Sequence, residues 1–530
     1  MTRRQFLAAT AACMATAGLA ATTAAQRRSS AERRELRLAL AAESTSADPH
    51  FAALAPNLTL SQHVFDALVH VDGAGRYVPG LATSWRSIDP LVWELKLRPG
   101  VRFHDGSELT PDDVVFSLQR PGRITDSPAP FTTFSKQIAS VRVVDALTLH
   151  IATREPYGGL PGDLSSLFIV SRRAAEHAAP ADFDNGTACV GTGPFRLRAF
   201  ARGQSATLER HDRCWAGASV WPQVKLLVMP DENQRSAALL AGEVDAIEGV
   251  APAGLRQLRG QKNITVVQRT SWRTVFLHLE QFTDHSPWIT DSFGRPMETS
   301  PLKSRLVRRA LSCAIDRSAL VRGVLEGLAE PAAQLVAPGI LGHRASLRPD
   351  AFDALQARRL LAEAGYPNGF TLTLHAPARR YVHDEEVAST VGQCWSRIGV
   401  KTRVETLPVS SYFTRARRGE FSVAMLGYGS LAGDFALRAL LGTPDSARGW
   451  GTWNWSKYSN AHLDVAIRES LRSTEAARRQ EQAGVAMEIA MQDQAVIPLH
   501  HQFASWAMRS DIAYAGRVDE FTLAQHFHAA

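Results

Sequence analysis

The chain has 530 residues, 45% hydrophobic and 21% charged. That length exceeds what one core supports and points to two or three domains, while the ordinary composition excludes a disordered or fibrous chain. The net charge of +7, from 59 basic and 52 acidic residues, is scattered and too mild over this length for a nucleic-acid partner.

Residues 1–25 read as an export signal. A basic start leads into an Ala-rich, weakly apolar run that ends in small residues at Thr23, Ala24 and Ala25. The opening Thr2-Arg3-Arg4-Gln5-Phe6-Leu7 resembles a twin-arginine signal. The run is shorter than the roughly 20 apolar residues of a span, and Thr10 stands three residues before Cys13 where a lipoprotein anchor needs Leu or Val. The exported chain is expected to be a monomer in the periplasm, with no later membrane span.

Glu35 to Ala42 alternates as a strand, and a helix is expected over 60–68. Val92 to Leu97 and Val101 to Phe103 read as strands. Thr110-Pro111-Asp112-Asp113 carries a cap, a first-turn proline and acids at the positive end of the dipole, so a helix follows. A strand pair over 141–152 turns at Asp145, and a hairpin over 195–210 turns near Gly203. A short helix over 234–241 precedes the strand Ala246-Ile247. From Trp272 onward, strands over 275–279, 371–375, 400–407, 421–426 and 495–499 alternate with helices over 302–315, 354–364, 385–398 and 475–493. This alternation indicates an α/β layer structure with a mainly parallel sheet. Two crossings between lobes, at 269–273 and 498–503, would make a hinge.

Cys189, Cys214, Cys313 and Cys394 follow the signal, none in a C-x-x-C pair. Cys313 and Cys394 read as core residues; Cys189 and Cys214 fall nearly opposite across the hairpin, where a disulfide is possible. There is no G-x-S-x-G, no H-E-x-x-H and no phosphate-binding glycine loop, so a secreted hydrolase would need scattered catalytic residues. No cofactor is indicated. Of the close His pairs, His500 and His501 point to opposite faces of a strand and make poor joint metal ligands. His526 and His528 read as a frayed tail.

Several segments, in order, resemble one family. They are Leu81-Ala82-Thr83-Ser84-Trp85; Leu97-Arg98-Pro99-Gly100-Val101-Arg102-Phe103-His104-Asp105-Gly106; Thr110 to Ser117; Val190-Gly191-Thr192-Gly193-Pro194-Phe195; Val307 to Leu311 with Ala314 to Arg317; Leu360 to Pro367; and Ile497-Pro498-Leu499-His500. Together they are similar to the family 5 extracellular solute-binding proteins, the dipeptide, oligopeptide and nickel receptors of ABC importers. The resemblance implies a two-lobed type II periplasmic-binding-protein fold with a hinge. The expected division is a first lobe over 36–270 with an inserted subdomain at about 76–185, a second lobe over 271–499, and a return to the first over 500–530. It also implies a non-enzymatic receptor that closes on a peptide or similar small solute and delivers it to a membrane permease with its ATPase. A metal-chelate receptor of the same family is the alternative.

In the family's peptide receptors an acid after a strand and a Gly-rich turn pairs with the peptide's amino terminus. Asp434, after Gly427-Tyr428-Gly429-Ser430-Leu431-Ala432-Gly433, is the matching position; it could equally cap a helix over 435–441. Phe435 stands where the family usually has Pro, which leaves the solute class open. Trp450, Trp453 and Trp455 around Asn454 suggest an aromatic wall or a packed loop. Trp272 and Arg273 sit at the proposed crossover, where Arg273 could hold a carboxylate; Arg379 or Arg380 is the further candidate for that role.

Overall fold

The structure, a computed structural model, describes residues 35–125, 127–446 and 448–530, so the expected export signal lies outside it. Among the described residues no helix is long and apolar enough to cross a membrane.

A 12-stranded sheet runs through the molecule. At one end it holds Glu35–Leu40, flanked in parallel by Gln223–Val228 and Ala246–Glu248, with the hairpin Phe195–Ala201 and Ser205–Arg210 beyond. At the other end Phe370–Ala378 lies parallel to Val400–Pro408 and to Val423–Gly429. Two long antiparallel strands, Ile264–Leu279 and Val496–Arg509, join the two ends. Their register shifts between Thr270 and Thr274, inside the segment expected to cross between lobes. The sheet is therefore mixed rather than mainly parallel. Alternation of strands and helices held only within each end; the long connecting strands pair antiparallel with Val423–Gly429 and with Ala246–Glu248.

Local chemistry explains the clearest elements. Pro111–Gln119 starts on a capping box, in which the Thr110 hydroxyl and backbone N–H both donate to Asp113, at 2.7 and 2.9 Å. Val114 and Leu118 are buried beneath it. A separate four-stranded antiparallel sheet holds Ala82–Asp89, Val92–Leu97, Thr148–Thr153 and Ile138–Asp145. It buries Trp93, Leu95, Leu149 and Ile151, while Val143 and Val144 face outward. The expected strand at Val101 to Phe103 reduces to a single bridge between Arg102 and Glu108, because the Gly106 turn closes it at once.

The core is shared across the interface of these parts. Leu95 and Leu149 of the small sheet belong to the same buried cluster as Leu437, Met487 and Ala490. Trp395 and Phe370 anchor a second cluster, and Trp221, Phe195 and Trp506 a third. Cys189 and Cys214 are free buried thiols, so no disulfide joins them, and Cys313 is buried as expected. The C-terminus is not frayed: His528–Ala529 pairs with Ile512–Ala513, and Phe527 stacks on Tyr514 at 4.2 Å. The fold is mixed α/β and two-lobed.

Candidate functional site

The strand Val423–Gly429 ends in the turn that delivers Asp434 to the first turn of the helix Gly433–Leu440. Asp434 is fully buried, but it is not free for a ligand. One carboxylate oxygen accepts from Arg479 Nε and from the Ser470 hydroxyl, each at 2.8 Å; the other accepts from Arg479 Nη2 at 3.0 Å and from the Phe435 N–H. Burial pushes the carboxyl upward, yet the Arg479 charge and these hydrogen bonds hold it below its ordinary range. Asp434 is also not the helix cap, a position taken by Ala432. The expected partner of a ligand ammonium is thus occupied by the chain's own arginine.

The same Arg479 donates from Nη1 to the Gly158 carbonyl at 2.7 Å, and the Gly158 N–H donates to the Leu471 carbonyl at 2.6 Å. Gly158 opens a Gly- and Pro-rich loop, Gly158-Gly159-Leu160-Pro161-Gly162-Asp163, that follows the small sheet. The approach is so close that a Cβ on Gly158 would sit 1.8 Å from the Ser473 carbonyl oxygen. Tyr157, just before the loop, and Asp163 within it both lie close enough to feel the charges of Arg438 and Arg479.

Here the charges are not matched. Asp163 is buried, and among the described residues one of its carboxylate oxygens has no hydrogen-bond partner. Burial pushes it up to about 7, with the Arg438 charge pulling the other way. Arg438, one turn beyond Asp434, is buried on the facing helix, and its Nε has no partner among the described residues. Its guanidinium lies 4.7 Å from the Phe435 ring centre, and among the described residues no ion pair closes between it and any carboxylate. Tyr428 contributes an aromatic wall and senses the Arg438 charge. The loop and the helix therefore present an acid and a base that do not close an ion pair. Buried groups of this kind are costly unless something polar completes them.

The aromatic loop divides. Trp453 lies 6.2 Å from Tyr428 and 5.7 Å from Trp455, and so reaches the edge of this seat. Trp455 turns inward against Phe413, Tyr412 and His278. Trp450 is buried against Gly442 under Arg468. Asn454 is a structural staple rather than a ligand contact. Its amide donates to the carbonyls of Gly442 and Tyr458, and its oxygen accepts from Ser456 and the Tyr458 N–H.

The crossover residues form a second group. Arg273 is paired with Glu520, at 2.6 Å for the shortest contact, so it is not an open carboxylate site. Trp272 packs edge-on to Phe521 and against Gly429, and its indole N–H has no partner among the described residues. Arg380 is exposed, carries no ion pair among the described residues and lies over Tyr381, whose hydroxyl donates to the Gly427 carbonyl. The strand end 427–429 connects this group to the Asp163 and Arg438 seat.

Sequence reasoning missed Tyr157, Asp163, Tyr428, Arg438 and Arg479. Arg438 stands four residues after Asp434, a spacing that suggests an intrahelical pair. Only the tertiary structure shows that Arg479, 45 residues away, takes that place. His500 and His501 are both buried and held near 3 by burial, and His501 shares a hydrogen bond with Thr274. Among the described residues no group of three acids, histidines or cysteines could hold a metal.

Residues 76–442 match the family of bacterial extracellular solute-binding proteins, family 5 Middle. The chain is 28% identical over 471 residues to heme-binding protein A of Haemophilus influenzae, covering 83% of this chain and 82% of that one. It is 26% identical to the dipeptide-binding protein of Escherichia coli K12, covering 68% and 69%, and 26% identical to the glutathione-binding protein GsiB of that strain, covering 87% and 88%. Among solved structures it is similar to the periplasmic binding protein DppA of Helicobacter pylori in complex with the peptide STSA. That likeness has a TM-score of 0.75 and 22% identity, over 93% and 98% of the two chains. HbpA2 of Haemophilus parasuis gives 0.78 and 24%, over 94% and 100%. These structural likenesses carry the fold.

Proposed function

The chain belongs to the bacterial extracellular solute-binding proteins of family 5, and on that premise we propose that it is the periplasmic receptor of an ABC importer. The ligand we propose is a small peptide-like solute with at least one carboxylate, held between the small-sheet loop and the helix Gly433–Leu440. The observation that carries this reading is the pair of unmet buried groups, Asp163 on one side and Arg438 on the other. A carboxylate on Arg438 forms a charge-assisted, two-pronged hydrogen bond, and an N–H or hydroxyl on Asp163 completes its free oxygen. Tyr157, Tyr428 and Trp453 would line the apolar walls. The relatives named for dipeptide and glutathione take solutes of this chemistry.

A free amino terminus is not required, because Arg479 already neutralises Asp434. Lobe closure on the solute delivers it to a permease with its ATPase, and no catalytic step is needed. The lobe bounds that fit this reading are 36–270 with 500–530, against 271–499. The test is the mass of the small molecule that co-purifies with the exported protein, followed by calorimetric titration of that compound. A carboxylate-bearing peptide that Arg438→Met releases supports the reading. A neutral sugar, or turnover of the bound compound, overturns it.

A further inference from the structure

A cavity of about 380 Å³ lies away from the seat described above. Its walls come from residues 305–350 and 491–498 alone, so neither the small sheet nor the helix Gly433–Leu440 reaches it. Four arginines line it: Arg305, Arg309, Arg317 and Arg348. One carboxylate, Asp350, answers them, and it also accepts from the Gln494 amide at 3.2 Å.

Among the described residues, three of the four guanidiniums donate to neutral acceptors alone. Arg305 donates to the Gln492 carbonyl at 3.1 Å. Arg317, which is buried, donates to the Pro498 carbonyl at 2.7 Å and to the carbonyl and hydroxyl of Ser312 at 3.1 and 2.8 Å. Arg348 donates to the carbonyls of Ala345 and Leu347. Among the described residues, no carboxylate lies within ion-pair distance of any of the four. The contrast is on the same helix: Arg308, between Arg305 and Arg309, pairs with Asp493. Arg305 and Arg309 are one turn apart on Arg305–Cys313, where like charges repel. Such a group gains most from an anion that brings several oxygens, since each guanidinium presents a fork of donors that fits an oxyanion. The volume suits a small molecule and not a folded partner.

We propose that this cavity is a second ligand site, for a small oxyanion carrying two or more negative charges, of the phosphate or polycarboxylate class. Site occupancy would join the helix Arg305–Cys313 to the end of the helix Ala476–Gln492 and the start of the long strand Val496–Arg509. The test is calorimetric titration of the purified exported chain with inorganic phosphate and, separately, with citrate, at physiological salt. Wild type is compared with Arg305→Gln/Arg309→Gln and with a charge-matched control, Arg359→Gln/Arg403→Gln, whose residues are exposed and outside the cavity. The expected result is saturable binding of one phosphate or one citrate per chain, weakened at least tenfold in the cavity variant and less than twofold in the control. Which of the two anions binds decides between the two chemistries. All four residues replaced are exposed, so both variants should keep the thermal stability of the wild type. No saturable binding of either anion, or equal losses in the two variants, overturns the proposal.

Discussion

Two acid and arginine pairs share the helix Gly433–Leu440, and they differ in one respect. Asp434 and Arg479 are locked in a two-pronged ion pair, with Ser470 and the Gly158 carbonyl completing the set. Asp163, in the loop after the small sheet, and Arg438, on the helix, leave a carboxylate oxygen and a guanidinium N–H without partners among the described residues. Charge and burial are alike in both. The difference is completion: the first pair solves its desolvation within the chain, and the second leaves it to be solved by something else. The position that resemblance marks for a ligand is the closed one, and the open one lies a single helical turn away.

The largest expected effect breaks the closed pair. Arg479→Met leaves Asp434 charged, buried and alone, which costs about 3–5 kcal/mol. Denaturant unfolding of the single variant should show that loss. Asp434→Leu/Arg479→Met removes both charges together and should recover most of it. If the single variant were as stable as wild type, the two pairs would not differ in kind.

The open pair behaves differently with pH. The Asp163 carboxyl moves from its ordinary 3.8 to about 7 in the folded chain. Between those values the folded state holds a proton that the unfolded state has lost. Stability should therefore fall as pH rises from about 4 to about 7, and level off above. Asp163→Asn removes this cost, so the variant should exceed wild type by on the order of 4 kcal/mol near pH 8 and match it near pH 4. Unfolding at the two pH values checks this, and a constant difference would remove the open pair's distinguishing property.

Arg438→Met should act on binding more than on stability. The buried charge it removes has no carboxylate within ion-pair distance, so the fold should lose less than about 1 kcal/mol or gain. Affinity for a carboxylate solute should drop roughly 10- to 100-fold, since a bond to a charged group contributes about 1.5–3 kcal/mol. Equal losses in folding and binding would place Arg438 with Arg479 instead.

Much of the fold was legible because it rests on local signals. The capped start at Thr110-Pro111, the alternation of Val92–Leu97 and the long helix Ala476–Gln492 are each written in residues close in sequence. The mixed sheet was not, because strand direction in Ile264–Leu279 and Val496–Arg509 depends on pairing across more than 200 residues. The site followed the same rule. The surroundings of Asp434, Arg273 and Asn454 were set by Arg479, Glu520 and the Gly442 and Tyr458 carbonyls, partners that residue type and spacing do not name. A charged residue's function depends on whether its partner lies elsewhere in the chain, and spacing cannot report that.

The smallest expected effect concerns Arg380, an exposed cation of the crossover group with no ion pair among the described residues. Unlike Arg438 it is exposed, so water already completes it and a solute gains little by replacing that water. Its neighbour Arg273 is neutralised by Glu520, which leaves Arg380 as a rim charge near the seat. Rim charges act mainly on the rate of encounter and on its salt dependence. Arg380→Gln should thus lower affinity for an anionic solute by no more than about threefold, chiefly through a slower association rate that converges with wild type as salt is raised. Stopped-flow binding at low and high ionic strength separates the cases. A large loss that persists at high salt would make Arg380 a direct contact and move the centre of the seat from Arg438 toward the crossover.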